Sequence, residues 1–188
     1  DAQLIASVLS KKAAAGSSRV LIDIPVGPTA KVRSSEAAEK MTRLFKFVGK
    51  KIGLKVNVVQ TEGTQPIGRG IGPALEGRDI LAVLKRKVDA PTDLEKRSLY
   101  LAGKVLEMAD IDNPHDVAQQ TLKDGRAWEA FKKICEAQGG LKTPPTAEFT
   151  HKIRSSETGR VSGFDNRRIA KVAKLAGAPT DLAAGVYC

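Results

Sequence analysis

Apolar residues recur at helical spacing from the start of the chain. Leu4, Ile5, Val8 and Leu9 lie three and four apart, which predicts a helix ended by Gly16 and the Ser17-Ser18 pair. Arg19 to Pro25 (RVLIDIP) is a nearly unbroken aliphatic run and predicts a buried strand of a parallel sheet. After the Gly27-Pro28-Thr29 loop the helical period returns. Ser35 is expected to cap this second helix, with Ala37, Ala38, Met41, Leu44, Phe45 and Val48 facing inward and Gly53 closing it. Leu54 to Val59 alternates as a second strand. A strand, a helix and a strand in this order predict parallel pairing through a right-handed crossover.

A glycine-rich loop, Thr61 to Gly72, follows. Pro73 to Leu84 reads as a helix, with proline in the first turn where it costs no hydrogen bond. Further helices are predicted over Asp93–Ala109, from Asn113-Pro114 to Gly125, and over Arg126–Gln138. The last carries Trp128, Phe131, Ile134 and Cys135 on one side, with Trp128 expected in the core. Lys142-Thr-Pro-Pro145 reads as a hinge. Beyond it, Ala147–Ile153 and Gly159–Ser162 read as short strands, Arg167–Ala176 as a helix, and Gly185–Cys188 as the start of a strand. The expected class is α/β. Residues 1–141 form part of a central domain, a parallel or mixed sheet flanked by helices. Residues 142–188 begin a small α+β C-terminal domain that is cut short. A helix that starts uncapped and a strand that ends abruptly predict a piece of a longer protein.

Composition narrows the classes. The chain has 188 residues, 41% of them apolar and 28% charged, which suits a globular fold. No apolar run approaches the roughly 18–20 residues of a membrane span, and no cationic start precedes the first apolar stretch as in a signal peptide. Two cysteines, Cys135 and Cys188, fit a reducing compartment better than a disulfide framework, so a cytoplasmic setting without a membrane partner is expected. The net charge of +10 points to nucleic acid or to a small anionic substrate. Aromatics make up only 4%, the phenylalanines sit inside apolar patterns, and lysines interleave with acids. No stacking platform is evident, and no nucleic acid partner is expected.

Four features bear on chemistry. Gly68-Arg-Gly-Ile-Gly72 lies between a strand and a helix, where amide groups could cradle an anion. Its glycines do not follow the dinucleotide spacing and no Walker lysine follows, so tight packing is the favoured reading. Ser7 and Lys11 are four apart and share a helix face, able to grip a polar ligand or to form a solvated helix end. Lys31 lies in the loop after the first strand, where open α/β sheets bind ligands. His115 and His151 have no metal-ligand spacing, and no metal is expected.

Taken together, the segments resemble the thymidine phosphorylase family. Leu4–Lys12 (LIASVLSKK) is similar to its serine-and-lysine helix, Leu21–Gly27 (LIDIPVG) to its next strand, and Thr61–Glu76 (TEGTQPIGRGIGPALE) to its signature loop. Glu136–Gly140 and Gly177–Tyr187 match later landmarks in family order. The resemblance implies cleavage of a nucleoside N-glycosidic bond by inorganic phosphate, as co-substrate and without another cofactor, in a homodimer or higher oligomer. It implies that Ser7 and Lys11 hold the nucleobase. The pyrimidine enzymes carry an apolar aromatic residue where Lys31 stands. A cation there resembles the AMP phosphorylases, which act on nucleoside 5′-monophosphates and release ribose 1,5-bisphosphate. A pyrimidine nucleoside phosphorylase is the alternative within the class, and a non-catalytic basic binding module the alternative outside it. The family's lysine-histidine-serine phosphate loop and its acidic proton donor are expected upstream of Asp1, so no catalytic residue is assigned and the chain alone is expected to be inactive. Ile67, Gly70 and Asp79 match positions at which some relatives hold a monovalent cation.

Overall fold

The aliphatic run, the amphipathic helix and the second run build one β-α-β unit with a helix before it. The computed structural model describes residues 2–188. They fall into two units: residues up to Thr64 with Met108–Asp110, and Gln65–Glu107 with Ile111–Cys188. The first contains α1 (Ala2–Ala14), β1 (Arg19–Val26), α2 (Ser35–Lys51) and β2 (Lys55–Glu62). The strands pair in parallel, with Arg19 opposite Lys55 and Val26 opposite Glu62. Side chains alternate across a strand, so Val20 and Ile24 reach the same face and join Val56, Ile5, Leu9, Ala38, Met41 and Phe45 in one cluster. Phe45 is its deepest large side chain, 2% exposed.

Two details of α2 differ from the periodicity. Ser34, not Ser35, is the cap: its backbone is extended and its Oγ accepts the Ala37 N–H at 3.2 Å. Ala37 is exposed, because one position along the helix Ala38 takes the place against the core. Near the helix end Gly49 is buried. A Cβ there would collide with Val56 Cγ2, so the helix passes β2 too closely for a side chain. Arg19 donates to the Met108 carbonyl and pairs with Asp110 at 3.2 Å, which ties residues 108–110 to this unit.

The second unit holds α3 (Pro73–Leu84), nearly all of α4 (Thr92–Met108), α5 (Pro114–Lys123), α6 (Arg126–Ala137) and α7 (Asn166–Leu175). A short antiparallel pair joins β3 (Gly70–Ile71) to β4 (Val186–Tyr187). Val83, Ala90 and Leu122 form its buried cluster. Gly125 ends α5 as expected: the helix stops at Lys123, Asp124 is its C-cap, and Gly125 follows in the left-handed conformation with φ 83°, its N–H donating to the Leu122 carbonyl. The same residue stands as the cap of α6. Trp128 is not core: α6 buries none of its residues. The Trp128 ring stacks near Phe131, with Lys85 Nζ 4.7 Å and Lys132 Nζ 5.7 Å from its centroid. Cation–π contacts thus stand where a core would supply apolar neighbours.

The strands expected at 147–153 and 159–162 do not form; residues 138–165 contain no helix or strand. A strand needs a neighbour for its N–H and C=O groups, and no described strand borders this stretch. The stretch is nonetheless held at two places. Arg78 donates to the Pro145 carbonyl at 2.5 Å and to Thr146 Oγ1 at 3.0 Å. Gln65 Oε1 accepts the Phe164 N–H at 2.7 Å, and its Nε2 donates to the Phe164 carbonyl at 3.4 Å.

Candidate functional site

On α1, Ile5 and Leu9 are buried and fix the inward face. Ser7 and Lys11 stand on the opposite side, one turn apart and both outside the core. Lys31 belongs to a different element, the loop between β1 and α2. That loop is closed by Gly27 N–H to the Val32 carbonyl (3.1 Å) and Ala30 N–H to the Gly27 carbonyl (3.0 Å). Val32 is buried and bridges in parallel to Val26, which anchors the loop and leaves the Lys31 side chain exposed beside it. Thr29 Oγ1, two residues before, is buried without a hydrogen-bond partner among the described residues. No hydrogen bond or ion pair joins Lys31 to Ser7 or Lys11; among the described residues none of the three side chains has such a partner. The structure therefore pairs Ser7 with Lys11 on one helix face and keeps Lys31 on a separate loop of the same unit.

The carboxyl ends of β1 and β2 meet closely. Gly63 N–H donates to the Val26 carbonyl at 2.8 Å. A Cβ on Gly27 would lie 2.6 Å from the Gly63 carbonyl carbon and oxygen, so glycine is required where these loops cross. One step back, the Thr61 hydroxyl donates to Asp23 Oδ1 at 2.6 Å. This Asp23–Thr61 pair was not singled out by the sequence, where an acid inside an aliphatic strand was its only signal.

The glycine-rich loop has a different chemistry. Asp79 on α3 is 5% exposed, and its Oδ2 accepts the Arg69 N–H at 2.7 Å and the Gly70 N–H at 2.8 Å. Asp93 accepts the Gly68 N–H at 3.1 Å, and Glu76 Oε1 the Gly72 N–H at 3.0 Å. Carboxylates thus take the amides that an anion would need. The carbonyl of Arg69 accepts the Cys188 N–H, and Gly185 packs where a Cβ would collide with the Ile71 carbonyl oxygen. The loop is a packing device, as its irregular glycine spacing predicts. Among the described residues no three His, Cys, Asp or Glu side chains gather as a metal site, and no helix is long and apolar enough to cross a membrane.

The first unit is thus a β-α-β arrangement with Lys31 exposed in the loop after its first strand. No family model matches the chain. Curated proteins do. The chain is 56% identical over 187 residues, 98% of its length, to a protein of Polaromonas sp. (strain JS666 / ATCC BAA-500) named "Putative thymidine phosphorylase". It is 56% identical over 189 residues to "Putative thymidine phosphorylase 1" of Acidovorax sp. (strain JS42), and 52% identical over 190 residues to the protein named "Putative thymidine phosphorylase" from Chelativorans sp. (strain BNC1). The chain spans 37% of the length of these relatives. At this identity over essentially all of its residues, the chain belongs to the thymidine phosphorylase family, as a counterpart of one stretch of its members.

Proposed function

We propose that the chain supplies the nucleobase and 5′-phosphate side of a phosphorylase acting on nucleoside 5′-monophosphates, with AMP as substrate. The whole protein would cleave the N-glycosidic bond with inorganic phosphate and release the base and ribose 1,5-bisphosphate, as a cytoplasmic homodimer or higher oligomer. Ser7 and Lys11 would hold the base. An ammonium near the departing base stabilises the charge that develops on it.

The observation that carries this reading is Lys31. It is exposed and has no carboxylate partner among the described residues, in a loop pinned by buried Val32 and Gly27 at the carboxyl end of a parallel strand. A cation so placed suits a dianionic phosphate better than an apolar pyrimidine methyl. Thymidine phosphorolysis is the second reading, favoured by the names of the relatives. The 188 residues alone are proposed to give no turnover, because the lysine-histidine-serine phosphate loop the family uses is not among them. Residues 142–188 are proposed to open a separate C-terminal domain.

The experiment compares AMP, CMP, UMP and thymidine in the full-length protein, with and without Lys31→Ala. A charge-assisted phosphate contact is worth about 1.5–3 kcal/mol, so the substitution is expected to lower kcat/KM for AMP roughly 10- to 150-fold. Adenosine should lose much less. Unchanged kcat/KM for AMP in a folded variant removes Lys31 from the site, and preference for thymidine over every monophosphate selects the second reading.

A further inference from the structure

The first unit contains one hydroxyl that the fold does not use. Thr29 lies in the loop after β1, half-buried, and its Oγ1 is shielded from solvent with no hydrogen-bond partner among the described residues. The turn it occupies does not depend on it. The Ala30 N–H donates to the Gly27 carbonyl at 3.0 Å, which makes Pro28 and Thr29 the two central residues of a β-turn. The Pro28 ring presets the first of these positions, and Thr29 does not have the positive φ that would mark strain at the second. Backbone bonds and buried Val32 close the loop, so the hydroxyl adds nothing to its stability.

A hydroxyl taken from water without a new bond is a net cost to the folded chain. Valine has the same shape and avoids that cost, so the presence of threonine calls for a partner from outside this stretch. The neighbours give the partner's chemistry. Lys31 is two residues on, at the carboxyl end of a parallel strand, where α/β sheets receive ligands. The N–H groups of Thr29 and Lys31 also have no acceptor among the described residues. One short loop thus carries a hydroxyl, an ammonium and two amides as donors, and residues 27–35 include no acid. An oxyanion can accept from every one of these groups.

We propose that the Thr29 hydroxyl is a specificity-determining group of the nucleotide site: on binding it turns about the Cα–Cβ bond and donates to an oxygen of the 5′-phosphate that Lys31 attracts. This rests on the nucleotide reading of Lys31 given above. The hydroxyl and methyl of threonine are close in size, so moving from one staggered position to another exchanges them with little change in packing.

The test measures AMP and adenosine binding to the full-length protein by calorimetry, with thermal unfolding of the same samples. Thr29→Val removes the hydroxyl and keeps the shape. Its Tm without nucleotide should equal or exceed that of the wild type, because no bond is lost. AMP should bind about tenfold more weakly, and adenosine within about twofold of the wild type. Thr29→Ser keeps a hydroxyl and should bind AMP within about threefold of the wild type. A Tm lowered by more than about 2 °C in Thr29→Val overturns the inference, because the hydroxyl then bonds elsewhere in the longer protein or to a trapped water. Equal weakening of AMP and adenosine overturns it too, since the contact is then to the nucleoside. Lys31→Ala, measured alongside, separates this inference from the reading it rests on. Unchanged AMP affinity in Thr29→Val beside a loss in Lys31→Ala overturns the role of Thr29 and leaves the nucleotide site standing; no loss in either variant removes both.

Discussion

Removing the Asp79 carboxylate tests whether the glycine-rich loop is held by buried hydrogen bonds rather than shaped for an anion. One oxygen, Oδ2, accepts both the Arg69 and the Gly70 N–H, at 2.7 and 2.8 Å, and Asp79 is 5% exposed. Asp79→Ala leaves two amides without an acceptor. A buried unsatisfied donor costs about 1–3 kcal/mol; the Gly70 amide is the deeper of the two, so the pair together should cost about 2–4 kcal/mol. For a chain of this size that corresponds to roughly 4–16 °C in Tm. Asp79→Asn can keep an acceptor oxygen in that position but loses the charge and turns the other oxygen into an NH2 donor, so it should cost less than Asp79→Ala.

Fluorescence can read this effect within the unit concerned, because Trp128 is the sole tryptophan and lies in the second unit. Urea unfolding followed at Trp128 should rank wild type above Asp79→Asn and Asp79→Asn above Asp79→Ala. Hydrogen exchange should show the Gly70 amide losing protection in the alanine variant. If alanine and asparagine both lie within about 0.5 kcal/mol of wild type, the range of ordinary surface substitutions, the carboxylate does not hold the loop and the reasoning fails.

Two further outcomes follow from particular contacts. Gly27→Ala drives a Cβ to 2.6 Å from the Gly63 carbonyl, where only backbone can give way; overpacking of this kind costs about 1–3 kcal/mol, and urea unfolding followed by circular dichroism should register it. Asp165 caps α7 by accepting the Arg167 and Arg168 N–H groups at 2.9 and 3.0 Å, and the Arg168 bond leads in holding its carboxyl below the ordinary value of 3.8. Because the folded value is depressed, the cap's contribution is full above pH 3.8 and is lost as pH falls through the lower folded value. Amide shifts of Arg167 and Arg168 should titrate in that acid window in the wild type, and an Asp165→Asn variant whose amides titrate identically would remove Asp165 as the cause.

The β-α-β unit was legible in the sequence because its information is local. Two aliphatic runs flank a helix with Ala38, Met41 and Phe45 three and four apart, and each level of the pattern points to the same fold. The misreadings arose where a distant partner decides. Ala147–Ile153 has the alternation of a strand, yet alternation supplies no neighbour to bond with. Trp128 has the size of a core residue, but Lys85 reaches it from beyond its own helix and covers it. At the site, the helix positions of Ser7 and Lys11 could be read from spacing alone. The Gly27–Gly63 crossing could not, because two glycines far apart in sequence look alike whether they touch or not.

Electrostatics adds a last constraint on where an anionic substrate can sit. The loop whose sequence most resembles a phosphate cradle is the place built against anions: Asp79, Asp93 and Glu76 occupy its amides, and a phosphate there would meet three carboxylates. The exposed cations Lys11 and Lys31 belong instead to the other unit. Neither has a carboxylate partner among the described residues, and neither closes a hydrogen bond that holds the fold. A cation without a structural partner is free to meet a ligand's charge at no cost in stability. On that ground the proposed nucleotide site lies with α1 and the β1 loop rather than with the glycine-rich loop, whose amides carboxylates already hold.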